Sequence, residues 1–178
     1  MVAKTIFIFC FECDEASQSD RLYISKLIDY FYGQRPDVRP VYLDGKSKYN
    51  AVRVISQIKK HQRIIQMQYS DVSIKTIYFI DRDAVVGKEN HQNKTELDKI
   101  VSYCNANCYE LVLFVKEIED IIGISNRENK VQASKDFILI AEQKLVSLDQ
   151  NKLSKDSPND VGESNILCIL DHYFERIK

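Results

Sequence analysis

The sequence predicts an α/β protein: a parallel four-stranded sheet flanked by helices, with extra C-terminal helices. Three observations predict it. Short runs of β-branched and aromatic residues, such as TIFIFCF, KTIYFI and YELVLFV, are nearly continuous in apolar residues. A strand covered on both faces has that pattern. These runs alternate with segments of helical period, and strict alternation calls for right-handed crossovers with helices on both faces of the sheet. Finally, 178 residues with 44% apolar and 29% charged content suit one globular domain that needs no disulfide or metal to hold its core.

Lys4 to Phe11 is the first strand. Leu22, Ile24, Leu27, Ile28 and Phe31 follow at helical spacing, so Arg21 to Tyr32 is a helix, which Gly33 and RPDVRP end. Val38 to Leu43 is a short second strand. Tyr49 to about Met67 is the second helix, with Val52, Val54, Ile55, Ile58, Ile64 and Ile65 as its apolar set. Lys75 to Ile80 is the third strand and runs straight into Asp81-Arg82-Asp83. A polar loop, GKENHQNK, precedes a helix from about Thr95 to Asn105. Tyr109 to Val115 is the fourth strand. A short helix then starts near Glu117, and a longer one runs from about Val131 to Leu148. DQNKLSKDSPNDVGES reads as a polar loop, and Asn165 to Ile177 as a last amphipathic helix. Residues 1–125 are thus expected to form the α/β core, and 126–178 a helical extension packed on the same domain.

Lys plus Arg is 25 and Asp plus Glu is 26, a formal net charge of -1. That balance excludes a polybasic nucleic-acid-coating protein, while leaving room for a nuclease with a local basic face. No apolar run of membrane-spanning length and no signal-peptide pattern is seen. Cys10, Cys13, Cys104, Cys108 and Cys168 are irregularly spaced, as in reduced thiols, so a cytoplasmic location is expected.

In sheets of this kind, functional groups collect at the carboxyl ends of the strands. The first strand ends in Glu12, with Asp14 and Glu15 behind it. The third ends in Asp81 and Asp83, and the fourth is followed by Glu117, Glu119 and Asp120. Carboxylates gathered on one edge repel, and a hard divalent cation such as Mg²⁺ or Mn²⁺ relieves that repulsion. Asp81 and Asp83, spaced i and i+2, project to one side of an extended segment and can share one ion. Such a cluster suggests phosphoryl-transfer chemistry. The plainer alternative is that these acids cap helix N-termini.

This order, a strand ending in Glu, a helix, a strand, a helix and then a strand ending in Asp-x-Asp, resembles the TOPRIM domain. Such domains occur in topoisomerases, primases and the OLD-type and RloB-like nucleases of bacterial defence systems. The resemblance covers roughly residues 4 to 124 and is closest to the OLD-type and RloB-like branch. FECDEAS stands where that branch has VEG followed by a short acidic turn, placing the invariant glutamate on Glu12 and a second acid on Glu15. The DxD falls on Asp81 and Asp83. KEIEDIIG matches an IED-like segment and singles out Glu119, whereas aligning NANCYELVLF instead would single out Glu110, at the wrong end of the fourth strand. Cys13 stands where the family has glycine.

The resemblance implies a Mg²⁺- or Mn²⁺-dependent reaction on a nucleic-acid phosphodiester, DNA or RNA, in anti-phage defence. Glu12 would be a general acid/base or a metal ligand. Asp81 and Asp83 would hold Mg²⁺, and Glu119 would complete the site or hold a second ion. It also implies a partner chain, such as an ATPase, or a homo-oligomer. Lys59, Lys60 and Arg63, within a basic stretch that includes Lys46, Lys48, Arg53 and His61, are the expected nucleic-acid contacts, together with Lys94 after the DxD.

Other readings fit less well. Cys104 and Cys108 lack a second Cys/His pair, which argues against zinc. NDVGESNIL resembles the end of a phosphate-binding loop, but Glu163 replaces its lysine. YFIDRDAVV resembles the first motif of haloacid-dehalogenase-like phosphatases, with Asp81 as nucleophile, but the next strand ends in VKEIE without the Ser or Thr that family needs. The competing class is a catalytically degenerate TOPRIM-like subunit that binds a partner.

Overall fold

The computed structural model describes residues 4–83, 91–123 and 130–178. Strand β1 (Lys4–Phe11) leads to helix α1 (Ser19–Tyr32), β2 (Val38–Tyr42), a 3-10 turn at Lys46–Lys48 and α2 (Val52–Gln68). Then come β3 (Val72–Arg82), α3 (His91–Ala106) and β4 (Glu110–Val115). Four helices follow: α4 (Ile118–Ile122), α5 (Lys130–Val146), α6 (Gln150–Leu153) and α7 (Ile166–Leu170). The strands form one parallel sheet in the order β2-β1-β3-β4, with Phe7 opposite Val38, Phe9 opposite Ile77 and Ile80 opposite Leu113. The predicted α/β class with a four-stranded parallel sheet is therefore present.

The nearly continuous apolar runs serve both faces, because alternate side chains point to opposite sides of a strand. Phe7, Phe9 and Phe11 of β1 join Ile77 and Phe79 of β3 beneath α1, α4, α5, α6 and α7. Ile6, Ile8 and Cys10 join Tyr78 and Ile80 beneath α2 and α3. Phe79 stands at the centre of the first face, with ring centroids 5.0 Å from Phe9, 5.5 Å from Phe11 and 6.5 Å from Phe114. Among the described residues no helix is long and apolar enough to cross a membrane.

Two expectations near the C-terminus need correction. The segment expected to be a plain loop contains α6, which Asp149 caps by accepting a hydrogen bond from the Asn151 amide at 3.0 Å. The same segment covers the outer edge of β4. Ser164 bridges to Phe114, the Asn165 side chain accepts from the Leu113 amide at 2.8 Å, and it donates to the Leu111 carbonyl at 3.0 Å. An exposed strand edge is thereby paired off.

The last helix, expected to run from Asn165 to Ile177, stops at Leu170. Beyond the helix, the Tyr173 and Phe174 rings both reach Phe7, at centroid distances of 5.4 and 5.2 Å. The Ile177 amide donates to the Phe31 carbonyl at 2.9 Å, and the Arg176 guanidinium clasps Asp171. Ile166, Leu167 and Leu170 are fully buried, so the apolar face of this segment packs on the chain's own core.

Candidate active site

The carboxyl ends of β1 and β3 lie side by side because the two strands pair in parallel up to Phe11 and Phe79. Backbone pairing stops there, and Glu12 continues it with its side chain: Oε2 accepts a hydrogen bond from the Asp81 amide at 2.9 Å. The β2–α2 connection folds over the same point. The Leu43 amide donates to the Phe11 carbonyl and the Gly45 amide to the Glu12 carbonyl, both at 2.9 Å. Asp44 (φ 62) and Gly45 (φ 104) take left-handed backbone to make this reversal. It delivers Lys46, whose side chain is 17% exposed, onto the Asp83 carboxylate.

The first turn of α1 contributes Asp20. Its Oδ2 accepts from the Cys13 amide at 2.9 Å, and Oδ1 accepts from the Ser19 hydroxyl at 3.1 Å. Asp14 accepts from the Ala16 and Ser17 amides and so shapes the turn between β1 and α1. Cys13 is not among the residues with positive φ, so the missing glycine brings no backbone strain here. Its thiol is pushed up to about 12 by burial, which keeps it protonated near neutral pH and unfit as a nucleophile.

The result is an open cleft of about 430 Å³ walled by Glu12, Asp14, Asp20, Asp44, Asp81, Asp83 and Glu117. Burial, then the charges of Asp20 and Asp83, raise the Glu12 carboxyl to about 7, against the opposing pull of the Asp81 amide and Lys46. Asp81 is held well above the usual carboxylate range by burial first and then by Glu12, Asp20, Glu119 and Glu117. Like charges in a poorly hydrated place disfavour ionisation in this way.

Glu12, Asp81 and Asp83 thus come together. Asp83 lies at the exposed rim, one residue past β3. Glu117 and Asp120 form a capping box on α4, which is the plainer role foreseen for such acids. Glu119 is 2% exposed and does not wall the cleft; its charge reaches Asp81 and the Tyr23 hydroxyl. Glu15 is exposed and also lies off the cleft wall. Glu110 sits at the opposite end of β4 and accepts from the Tyr173 hydroxyl at 2.8 Å.

The basic residues divide as well. Lys59, Lys60 and Arg63 are exposed on α2, which runs away from the cleft, so they sit roughly 10 to 16 Å along the helix from its start. Lys94 is exposed in the first turn of α3. Arg53 donates to the Tyr42 and Leu43 carbonyls and clasps the end of β2. Two charges at this cleft end no strand: Asp20, in the first turn of α1, and Lys46, expected only as one of a basic stretch.

Among the described residues, no group of three or more His, Cys, Asp or Glu side chains is disposed to hold a metal ion. The donor chemistry nevertheless suits a hard divalent cation, since the ligands on offer are carboxylate oxygens whose mutual repulsion such a cation would relieve. No protein family, curated protein or solved structure matches the chain.

Proposed function

We propose that the chain is a TOPRIM-like, Mg²⁺- or Mn²⁺-dependent nuclease that hydrolyses nucleic-acid phosphodiesters, with a role in bacterial anti-phage defence. One observation carries the reading. Glu12 and Asp81, from adjacent strand ends, are half-buried in the wall of one open acidic cleft, with the carboxylate of Glu12 on the backbone amide of Asp81. Such a cluster disfavours its ionised form, and a bound divalent cation would stabilise that form.

Asp81, Asp83 and Glu12 would hold the cation, which when bound polarises the phosphodiester and lowers the pKa of a bound water. Burial raises the Glu12 carboxyl to about 7, which suits a group that takes and returns a proton at neutral pH. Lys94 at the start of α3 would meet the phosphate backbone near the cleft, and Lys59, Lys60 and Arg63 would meet it farther along. The defence role, a cytoplasmic location and a partner ATPase or second copy rest on the resemblance of FECDEAS, the DxD and KEIEDIIG to the OLD-type and RloB-like branch.

A second reading is favoured by Lys46. Its ammonium lies on Asp83, as in a degenerate subunit that keeps the fold but binds a partner instead of cutting. The deciding experiment incubates the wild-type chain with plasmid DNA, single-stranded DNA and structured RNA in millimolar Mn²⁺ or Mg²⁺. Cleavage of one of them is expected, falling about 100-fold or more in Asp81→Asn and in Glu12→Gln. A folded wild type that cuts none of them in either metal moves the conclusion to the degenerate reading.

A further inference from the structure

We propose that Lys46 is a tethered counter-cation of the acidic cleft, competing with a divalent metal ion for Asp83. The proposal rests on the reading of the cleft as a cation site and concerns its regulation.

The placement of Lys46 is built by the backbone. The Gly45 amide is bonded to the Glu12 carbonyl, and the Asp44 amide to the Cys13 carbonyl at 3.4 Å, so the loop that carries Lys46 is stapled to the segment that carries Glu12. Left-handed φ at both Asp44 and Gly45 turns the chain sharply just before Lys46. The 3-10 turn that follows, closed by the Tyr49 amide on the Lys46 carbonyl at 3.1 Å, fixes the base of the side chain. Its ammonium meets Asp83, and its charge is felt at Glu12.

The neighbouring lysine behaves differently. Lys48 pairs with Asp44, and both side chains are more than half exposed, at 51% and 56%. Lys46 is largely covered, so its pair is the less screened of the two. An ammonium in that place satisfies Asp83 and offsets part of the repulsion from Glu12. Metal entry then requires Lys46 to leave. A flexible four-carbon stem permits this, and the phosphate of an incoming nucleic acid offers the ammonium a new partner. Cation binding and phosphate binding would therefore help each other, and the coupling is reciprocal.

The test measures Mn²⁺ affinity by titration calorimetry and by the metal-dependent rise in melting temperature. The proteins are full-length wild type, Lys46→Met, Lys48→Met and Asp81→Asn. Lys46→Met and Lys48→Met remove the same charge two residues apart. Circular dichroism of each variant without metal confirms that it is folded. Lys46→Met is expected to bind Mn²⁺ about five- to tenfold more tightly than wild type, and Lys48→Met less than about twofold more tightly. Equal tightening in both variants means a general field effect and overturns the proposal. So does equal affinity in wild type and Lys46→Met, an outcome that leaves the cation site standing if Asp81→Asn has lost binding. Absence of Mn²⁺ binding in every protein, Lys46→Met included, overturns the proposal and the cation site together.

Discussion

Burial beside Asp20 and Asp83 makes the Glu12 carboxyl hold its proton more firmly in the folded chain than in the unfolded one. For an acid whose folded value is raised, the folded state binds more protons than the unfolded state between the two values. Stability from this group is therefore complete below about 4.5 and is lost as the pH rises through about 7. The loss approaches about 3 kcal/mol by pH 8 if the whole shift is realised. Glu12→Gln keeps an oxygen for the Asp81 amide and removes the charge. Urea unfolding without metal should find this variant more stable than wild type at pH 8 and close to it at pH 5. An equal difference at both pH values would show that Glu12 is not the group that titrates. Glu12 and Asp81 were legible in the sequence because each ends an apolar strand, and strand ends are fixed by the runs before them. Asp20 and Lys46 were not, since their positions depend on a turn and a left-handed loop that no hydrophobic period reports.

Among the elements, α1 shows how a single small residue closes two parts of the chain. Gly33 takes φ 60 after the last turn of α1, and its amide donates to the Asp29 carbonyl at 2.9 Å. A Cβ there would lie 2.7 Å from Ile177 Cδ1, so the site carries both a backbone and a contact constraint. Gly33→Ala is expected to lower stability by roughly 1–2 kcal/mol. In a double-mutant cycle, Ile177→Ala should remove the contact share and leave the left-handed share in place. Complete recovery on the Ile177→Ala background would show that backbone conformation contributes nothing. The C-terminal stretch marks the limit of reading elements from periodicity. Tyr173 and Phe174 fit a continued helix by spacing, yet the helix ends at Leu170 and both rings reach Phe7 from the turns beyond it. The strand edge that Ser164 and Asn165 cover was invisible for a related reason. A side chain that imitates a strand through two hydrogen bonds has no sequence period.

At the scale of the molecule, the two expected parts of the chain share one core. The face of the sheet that carries Phe7, Phe9 and Phe79 is closed by Tyr23 and Phe31 of α1, and by Phe137, Ala141 and Leu145 of α5. Leu153, Ile166, Leu167 and Leu170 complete the same cluster. Phe137, 1% exposed, meets the Tyr23 ring edge-on at 5.2 Å. The acidic cleft opens at the end of this sheet, and Glu12 directly follows the Phe11 that the cluster encloses. Removing residues 126–178 would bare Phe7, Tyr23 and Phe31 to water, and each large apolar side chain so exposed forfeits about 1.5–3 kcal/mol. Because a domain's whole stability is of order 5–15 kcal/mol, a loss at three such side chains is already comparable with the whole of it. The full chain is expected to melt in one transition seen alike by far- and near-ultraviolet circular dichroism, and a chain of residues 1–125 to show no cooperative melt. A cooperative melt of the shorter chain would make the helices after α4 an appendage. The cleft could then be studied without them, whereas a shared core ties the placement of Glu12 and Asp81 to helices that, among the described residues, supply none of the cleft wall.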